Sequence, residues 1–177
     1  MRIIAGTNRG RTLKAPKWDG LRPTSDKLRE TLFNILAPHV TGARVLDVFA
    51  GTGAIALEAL SRGAGAATCI EQDRRAVELI EENRVRCREE NRCAIIRDQV
   101  ERVLAQPICG GPFDIVVLDP PYHYASLDAV VRDAASQRSP GAVLVLEHSS
   151  RVTPPDAAGL TVRRTVTSGD SALSFYV

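Results

Sequence analysis

No apolar run in this 177-residue chain approaches the roughly 18 residues of a membrane-spanning helix, so a helical membrane protein is excluded. The N-terminal stretch MRIIAGTNRGR lacks the hydrophobic region of a signal peptide, and a cytoplasmic location is the expectation. Cysteine is scarce and scattered: Cys69, Cys87, Cys93 and Cys109 show no CxxC spacing and no grouping with histidine. That pattern predicts reduced thiols and no metal site. There is no internal repeat and no low-complexity segment. What remains is an ordinary globular composition, on a chain long enough for one domain with a real core.

Charge is unevenly placed. The net charge is only +2, but residues 1–44 hold nine Lys/Arg against three Asp/Glu, and the remainder holds 14 against 18. A basic arm on a mildly acidic body predicts a polyanionic partner met by the N-terminal part. Arg2, Arg9, Arg11, Lys14, Lys17 and Arg22 are its cations, with glycines and prolines between them. Arg2–Ala5 and Arg11–Lys14 read as a small hairpin across Thr7-Asn8-Arg9-Gly10, a ribbon able to meet phosphates without reading sequence. Trp18, the only tryptophan, either stacks on a base or packs the arm onto the body.

Thr24 or Ser25 is expected to cap a helix that runs to about Ala37 and is closed by Pro38. Leu28, Leu32, Ile35 and Leu36 form its apolar stripe, and Lys27, Arg29 and Glu30 fall on other faces. From residue 43 strands alternate with helices. Strands are read at Arg44–Ala50, Ala67–Glu71, Cys93–Arg97, Phe113–Asp119 and Ala142–Glu147. Helices are read at Ala54–Arg62, Arg74–Asn91, Val100–Ala105 and Leu127–Ala135. Leu160–Thr167 and Ala172–Val177 then flank a hairpin signal at Ser168–Ser171. The prediction is an α/β, doubly wound, Rossmann-like fold. Its sheet is mostly parallel and seven-stranded with an antiparallel C-terminal hairpin, and residues 1–40 form a hairpin-plus-helix extension on a body of residues 41–177.

The run Phe113–Leu118 is apolar but for Asp114, as in a strand buried on both faces, and it ends in Asp119-Pro120-Pro121-Tyr122. Proline fixes φ and restricts the residue before it, so the turn is stiff. It lies at the carboxyl end of a parallel strand, where ligands bind open α/β sheets.

After strand one comes Gly51-Thr52-Gly53-Ala54-Ile55-Ala56, a G-x-G-x-x-A turn opening a helix. Asp47, inside that strand, would repel a pyrophosphate and favours a cationic ligand; S-adenosylmethionine carries a sulfonium and an amino group and has no phosphate. Glu71 ends strand two, placed to accept ribose hydroxyls, and Asp98 follows strand three, placed to accept from an adenine amino group. With strands ordered 3-2-1-4-5, the Gly51–Gly53 turn and Asp119–Tyr122 share one crevice.

A purine amino group is a poor nucleophile, its lone pair being delocalised into the ring. Asp119 and the Pro120 carbonyl offer two acceptors for its hydrogens, which leaves the nitrogen facing a methyl donor. Tyr122 offers a face for an extruded base. His123 follows and either passes a proton on or is an incidental loop histidine.

The Asp-Pro-Pro-Tyr turn is similar to the (Asn/Asp/Ser)-Pro-Pro-(Tyr/Phe/Trp) signature of S-adenosylmethionine-dependent amino methyltransferases. More narrowly, RIIAG at 2–6, RGR at 9–11, RPT at 22–24, RETLFNIL at 29–36 and LDVFAGTGAIALEALSRGA at 46–64 resemble the bacterial small-subunit (16S) ribosomal RNA guanine-N2 methyltransferases. The resemblance implies methylation of one guanine N2 in small-subunit rRNA, on an assembling or assembled ribosomal particle. It also implies S-adenosylmethionine contacts at Asp47, Gly51, Gly53, Glu71 and Asp98, and catalysis at Asp119, Pro120, Pro121 and Tyr122. RNA contact is expected from Arg9, Arg11, Lys14, Lys17 and Arg22, and a monomer is the default. Thr52 stands where serine is more usual, and Ser168 where an aromatic is.

Rival readings each leave residues unexplained. A DNA adenine-N6 methyltransferase shares the turn but usually adds a target-recognition region, for which there is no room beyond the 40-residue arm. A protein glutamine methyltransferase more often has Asn in place of Asp119. An NAD-dependent dehydrogenase would explain Gly51, Gly53 and Glu71 but not Asp47 or the Asp-Pro-Pro-Tyr turn. A non-catalytic RNA-binding module would need only the arm.

Overall fold

The computed structural model describes residues 1–16, 18, 25–157 and 159–177. Helix α1 spans Asp26–Val40; the body then runs β1 (Arg44–Val48), α2 (Ala54–Ser61), β2 (Ala66–Ile70), α3 (Arg74–Cys87), β3 (Cys93–Ile96), α4 (Val100–Leu104), β4 (Phe113–Leu118), α5 (Leu127–Ser136), β5 (Arg138–Ser149), β6 (Val162–Ser168) and β7 (Ser171–Tyr176). The strands form one seven-stranded sheet in the order β3-β2-β1-β4-β5-β7-β6. The five strands from β3 to β5 are mutually parallel, and β7 runs antiparallel between β5 and β6. The doubly wound sheet and its closing hairpin are those expected from the sequence.

Both faces of the central strands are buried, which is why they read as continuous apolar runs. Val45, Ile115, Val117, Val143 and Val145 face one cluster with α1 and α2, whereas Leu46, Val116, Leu118, Leu144 and Leu146 face the other, with α4 and α5. Ile3 and Leu13 of the arm belong to the first cluster, so arm, α1 and sheet share one continuous core.

Several expectations are corrected. Ser25 is the α1 cap, its Oγ accepting the Leu28 N–H at 3.2 Å, but Pro38 does not close the helix. Proline deprives one carbonyl in the last turn of its donor without blocking the residues after it, and burial of Val40 holds that turn in place. Arg29 is not on an outer face. It is fully buried, donating to the Arg2 carbonyl and to Asp26, with Glu58 of α2 at 3.8 Å. Helix α3 ends at Cys87 rather than Asn91, because Arg88 turns left-handed (φ 58°) and the chain folds back through Glu89 N–H to the Arg84 carbonyl at 2.9 Å. β5 begins earlier than expected: Arg138 pairs with Phe113, and a register shift follows before Ile115 meets Val143.

The predicted N-terminal hairpin is reduced to one ladder bridge, Arg2 to Thr12, reinforced by Gly10 N–H to the Ile3 carbonyl at 2.9 Å and Ile3 N–H to the Arg11 carbonyl at 3.0 Å. The body holds it instead. The Glu58 carboxylate accepts the N–H groups of Ile4 (2.8 Å) and Ala5 (3.0 Å), and the Ser61 carbonyl accepts that of Thr7 (2.8 Å). Gly6 lies so close that a Cβ there would stand 1.8 Å from the Ser61 carbonyl oxygen, at a φ of 81°. Trp18 packs on the body, with the Arg75 guanidinium 4.9 Å from its ring centre.

Candidate active site

A cavity of about 700 Å³ opens at the carboxyl ends of β1, β2, β4 and β5. Parallel pairing places it: Val48 is in register with both Ile70 and Leu118, so the residues that follow on β1, β2 and β4 leave the sheet at one level. Asp47, Gly51, Glu71, Asp119, Pro120, Pro121 and Tyr122 all line this space. The glycine turn and the Asp-Pro-Pro-Tyr turn thus share one crevice.

Asp47 is 1% exposed, and its Oδ2 accepts the Ala56 N–H, in the first turn of α2, at 3.0 Å. Burial pushes its carboxyl well above the usual range, and the charges of Asp119, Cys93 and Glu71 push the same way. A positive ligand would offset both effects, a negative one would add to them. Glu71 is 8% exposed and bridges two backbone donors: Oε2 takes the Gly51 N–H and Oε1 the Asp73 N–H, each at 2.9 Å. It therefore fixes the glycine turn, and two oxygens with about four lone-pair sites between them keep capacity for ligand hydroxyls. Beside it, Asp73 lines the cavity with its carboxyl held below the usual range by hydrogen bonds from the Arg75 guanidinium and backbone.

Two sequence-derived candidates stand back from the cavity lining. Gly53 caps α2 in the left-handed region (φ 72°), where a Cβ would come 3.0 Å from Ile80, so its contribution is to let the turn close against α3. Asp98 accepts the Gln99 N–H at 2.8 Å and pairs with Arg102 at 3.0 Å, while Val100 lines the cavity in that region.

The Asp-Pro-Pro-Tyr turn is pinned at both ends. The Asp119 N–H donates to the Val48 carbonyl at 3.3 Å, and the Pro121 carbonyl accepts the Tyr124 N–H at 3.0 Å. The Tyr122 and Ser171 hydroxyls are 2.6 Å apart, which brings the β6–β7 turn, Ser168–Ser171, into the wall. Tyr124 donates to Glu101 at 2.6 Å; burial and this bond raise its hydroxyl to about 12. Its ring meets Phe49 edge-on at 4.9 Å.

Sequence reasoning missed several lining residues. Phe49 has a φ of 65°, a strained value for a bulky residue, and nothing in the sequence marks it. Ser25 and Leu28 arrive from α1 through tertiary packing alone. Glu147, 7% exposed at the end of β5, was discoverable by the strand-end rule that identified Asp119.

The basic arm divides. Arg11 donates to the Arg86 carbonyl and Lys14 pairs with Glu82, both on α3. Arg9 is exposed and lines a second cavity of about 580 Å³ with Arg2, Lys27 and Arg62. Lys17 and Arg22 lie outside the described residues. Among the described residues no metal-binding group of side chains occurs, and no helix is long and apolar enough to cross a membrane.

Known proteins share this architecture. Ribosomal RNA small subunit methyltransferase D of Escherichia coli (strain K12) is 44% identical over 131 residues, 74% of this chain; the match spans 65% of that relative's own length. A Bacillus subtilis (strain 168) protein named "Putative rRNA methyltransferase YlbH" is 34% identical over 182 residues, 99% of this chain and 98% of its own. The solved structure described as "Putative methyltransferase yhhF from Escherichia coli" superposes with a TM-score of 0.87 at 37% identity, covering 99% of this chain and 96% of that one. The model of the family described as Conserved hypothetical protein 95 matches residues 1–177, and with its whole length so matched the chain belongs to that family.

Proposed function

We propose that this protein transfers the methyl group of S-adenosylmethionine to the exocyclic N2 of a guanine in small-subunit ribosomal RNA. The observation that carries the reading is the shared cavity: a glycine turn with buried carboxylates at Asp47 and Glu71 on one side, the stiff Asp119–Tyr122 turn on the other. The names of the Escherichia coli and Bacillus subtilis relatives support rRNA as the substrate class.

In this reading Asp47 favours the positive donor, and Glu71, with the Gly51 turn fixed beneath it, accepts the ribose hydroxyls. Asp98 serves the adenine edge from just outside the lining. When bound, the donor supplies an electrophilic methyl group. Asp119 and the Pro120 carbonyl accept the hydrogens of the target amine and hold its nitrogen toward that methyl; Pro120 and Pro121 keep both acceptors in place. Tyr122 stacks on the flipped base, its ring braced by Ser171. Positioning two bound reactants and stabilising the positive charge that develops on the amine account for the rate. Residues 1–40 form the RNA-contacting arm, with Arg9 an exposed cation at its surface and Arg11, Lys14, Lys17 and Arg22 in support, and the partner is a ribosomal particle.

The test is mass spectrometry of rRNA nucleosides from a strain lacking the gene, complemented with wild type or Asp119→Ala. One N2-methylguanosine should vanish, returning with wild type alone; an unchanged nucleoside profile would sink the reading. Calorimetry adds a cofactor arm: S-adenosylhomocysteine binds and NADH does not.

A further inference from the structure

Accepting hydrogens from an amino group does not distinguish guanine from adenine, since both bases carry one. Their neighbouring ring atoms differ. Guanine presents N1–H beside its amine, whereas adenine presents an N1 lone pair. A residue that meets N1 therefore reads the base, and a carboxylate there, which only accepts, suits guanine alone.

Such a carboxylate stands beside Asp119. Leu118 of β4 is in register with Leu146 of β5, so Asp119 and Glu147 follow on adjacent strands, about 4.8 Å apart across the sheet. Val117 and Val145 face the same core cluster, and Asp119 and Glu147, two residues further along each strand, project from that same face. Glu147 is 7% exposed and lines the cavity. The proposed donor carboxylates lie on β1 and β2, on the far side of β4 from β5. Glu147 is thus on the base's side of the cavity. Its strand is paired on both edges, with Leu146 opposite Leu118 on β4 and Glu147 opposite Leu173 on β7, which fixes the backbone that carries the carboxylate.

The geometry points to Glu147 as the residue that specifies guanine. Its carboxylate accepts N1–H, while the two N2 hydrogens stay with Asp119 and the Pro120 carbonyl. Adenine in this pose would turn its N1 lone pair against a carboxylate oxygen. The assignment rests on the guanine-N2 reading above.

The test compares two bases in small subunits reconstituted with rRNA carrying either guanine or 2-aminopurine at the nucleotide that reverse-transcription mapping shows to lose its methyl group in the deletion strain. 2-Aminopurine keeps the amine, replaces N1–H with a lone pair and carries hydrogen in place of O6, so the change in preference on altering Glu147 is what reports contact with N1. Wild type should favour guanine by on the order of 10³-fold in kcat/KM. Glu147→Gln, whose amide can donate to that lone pair, should narrow the preference by about tenfold or more while binding S-adenosylhomocysteine as wild type does. An equal guanine preference in both enzymes overturns the role of Glu147 and leaves the parent reading standing. A wild type that treats the two bases alike overturns it too, whatever the fate of the variant. Absence of methyl transfer to guanine by wild type marks the failure of the parent reading instead.

Discussion

Asp47→Asn separates the requirements of the fold from those of the proposed donor. The carboxyl is 1% exposed and holds its proton more tightly when folded, chiefly through burial and then through the charges of Asp119, Cys93 and Glu71. A carboxyl whose folded pKa is raised costs stability as pH rises through that folded value, and the cost disappears at low pH, where the group is protonated in both states. Asparagine has no such proton and keeps an acceptor for the Ala56 N–H. If relief of the buried charge is worth about 1–3 kcal/mol, and each kcal/mol moves Tm by roughly 2–4 °C at this chain length, the variant should melt about 2–12 °C above wild type at pH 8. At pH 5 the gap should shrink. Donor binding should move the other way: removing one charge-assisted hydrogen bond, worth about 1.5–3 kcal/mol, weakens S-adenosylmethionine by about 10–150-fold. Thermal melts from pH 5 to 8 with titration calorimetry measure both. A Tm difference that does not grow with pH refutes the electrostatic account of Asp47, and unchanged affinity refutes its role toward the cation.

Asp119→Ala should retain S-adenosylhomocysteine affinity while methyl transfer to ribosomal particles falls by about 10²–10³-fold, as for removal of an electrostatic stabiliser; single-turnover assays at saturating donor read this directly. Arg9→Glu should weaken particle binding and flatten the plot of log affinity against log salt by about one unit for each phosphate the arm then fails to meet. If only donor affinity changes, the arm does not meet RNA. Gly6→Ala should lower stability by about 2–5 kcal/mol in urea titration, from left-handed strain added to an approach to the Ser61 carbonyl that a Cβ cannot make.

The sheet was legible because parallel strands buried on both faces leave uninterrupted apolar runs, and the cavity because acids at the ends of such runs rarely serve the core. The same logic placed Asp47, Glu71 and Asp119 together and would have reached Glu147. It also named Asp98, whose place after β3 resembles that of Glu71 after β2 but which stands back from the cavity lining. Its neighbours differ: Arg102, one helical turn on, captures the carboxylate, whereas Glu71 meets the open glycine turn. Arg29 was misplaced because, apart from Asp26 three residues before it, the partners that mark it as buried, Glu58 and the Arg2 carbonyl, are each at least 27 positions away in sequence. The end of α3 was missed because a non-glycine residue, Arg88, takes the left-handed turn that glycine usually signals.

Treating the arm as a separate RNA-binding appendage does not agree with how it is held. Asn83 of α3 is fully buried; its Oδ1 accepts the Lys14 N–H at 2.7 Å, and its Nδ2 donates to the Lys14 carbonyl at 3.1 Å and to the Thr52 carbonyl at 3.0 Å. One carboxamide therefore joins the arm to the glycine turn, and each of its bonds costs about 1–3 kcal/mol to leave unmade. Arg11 and Lys14 are drawn onto the same helix, and the outward cations Arg2, Arg9 and Lys27 gather on the α1 side around the second cavity, interleaved with Asp26 and Glu30. Helix α1 also contributes Ser25 and Leu28 to the active-site cavity. An RNA strand crossing α1 would thus have its phosphates near Arg9 while its flipped base lay beside Asp119. Under the proposed function, the link that Asn83 makes between Lys14 and the glycine turn ties a substrate seated on the arm to the position of the methyl donor.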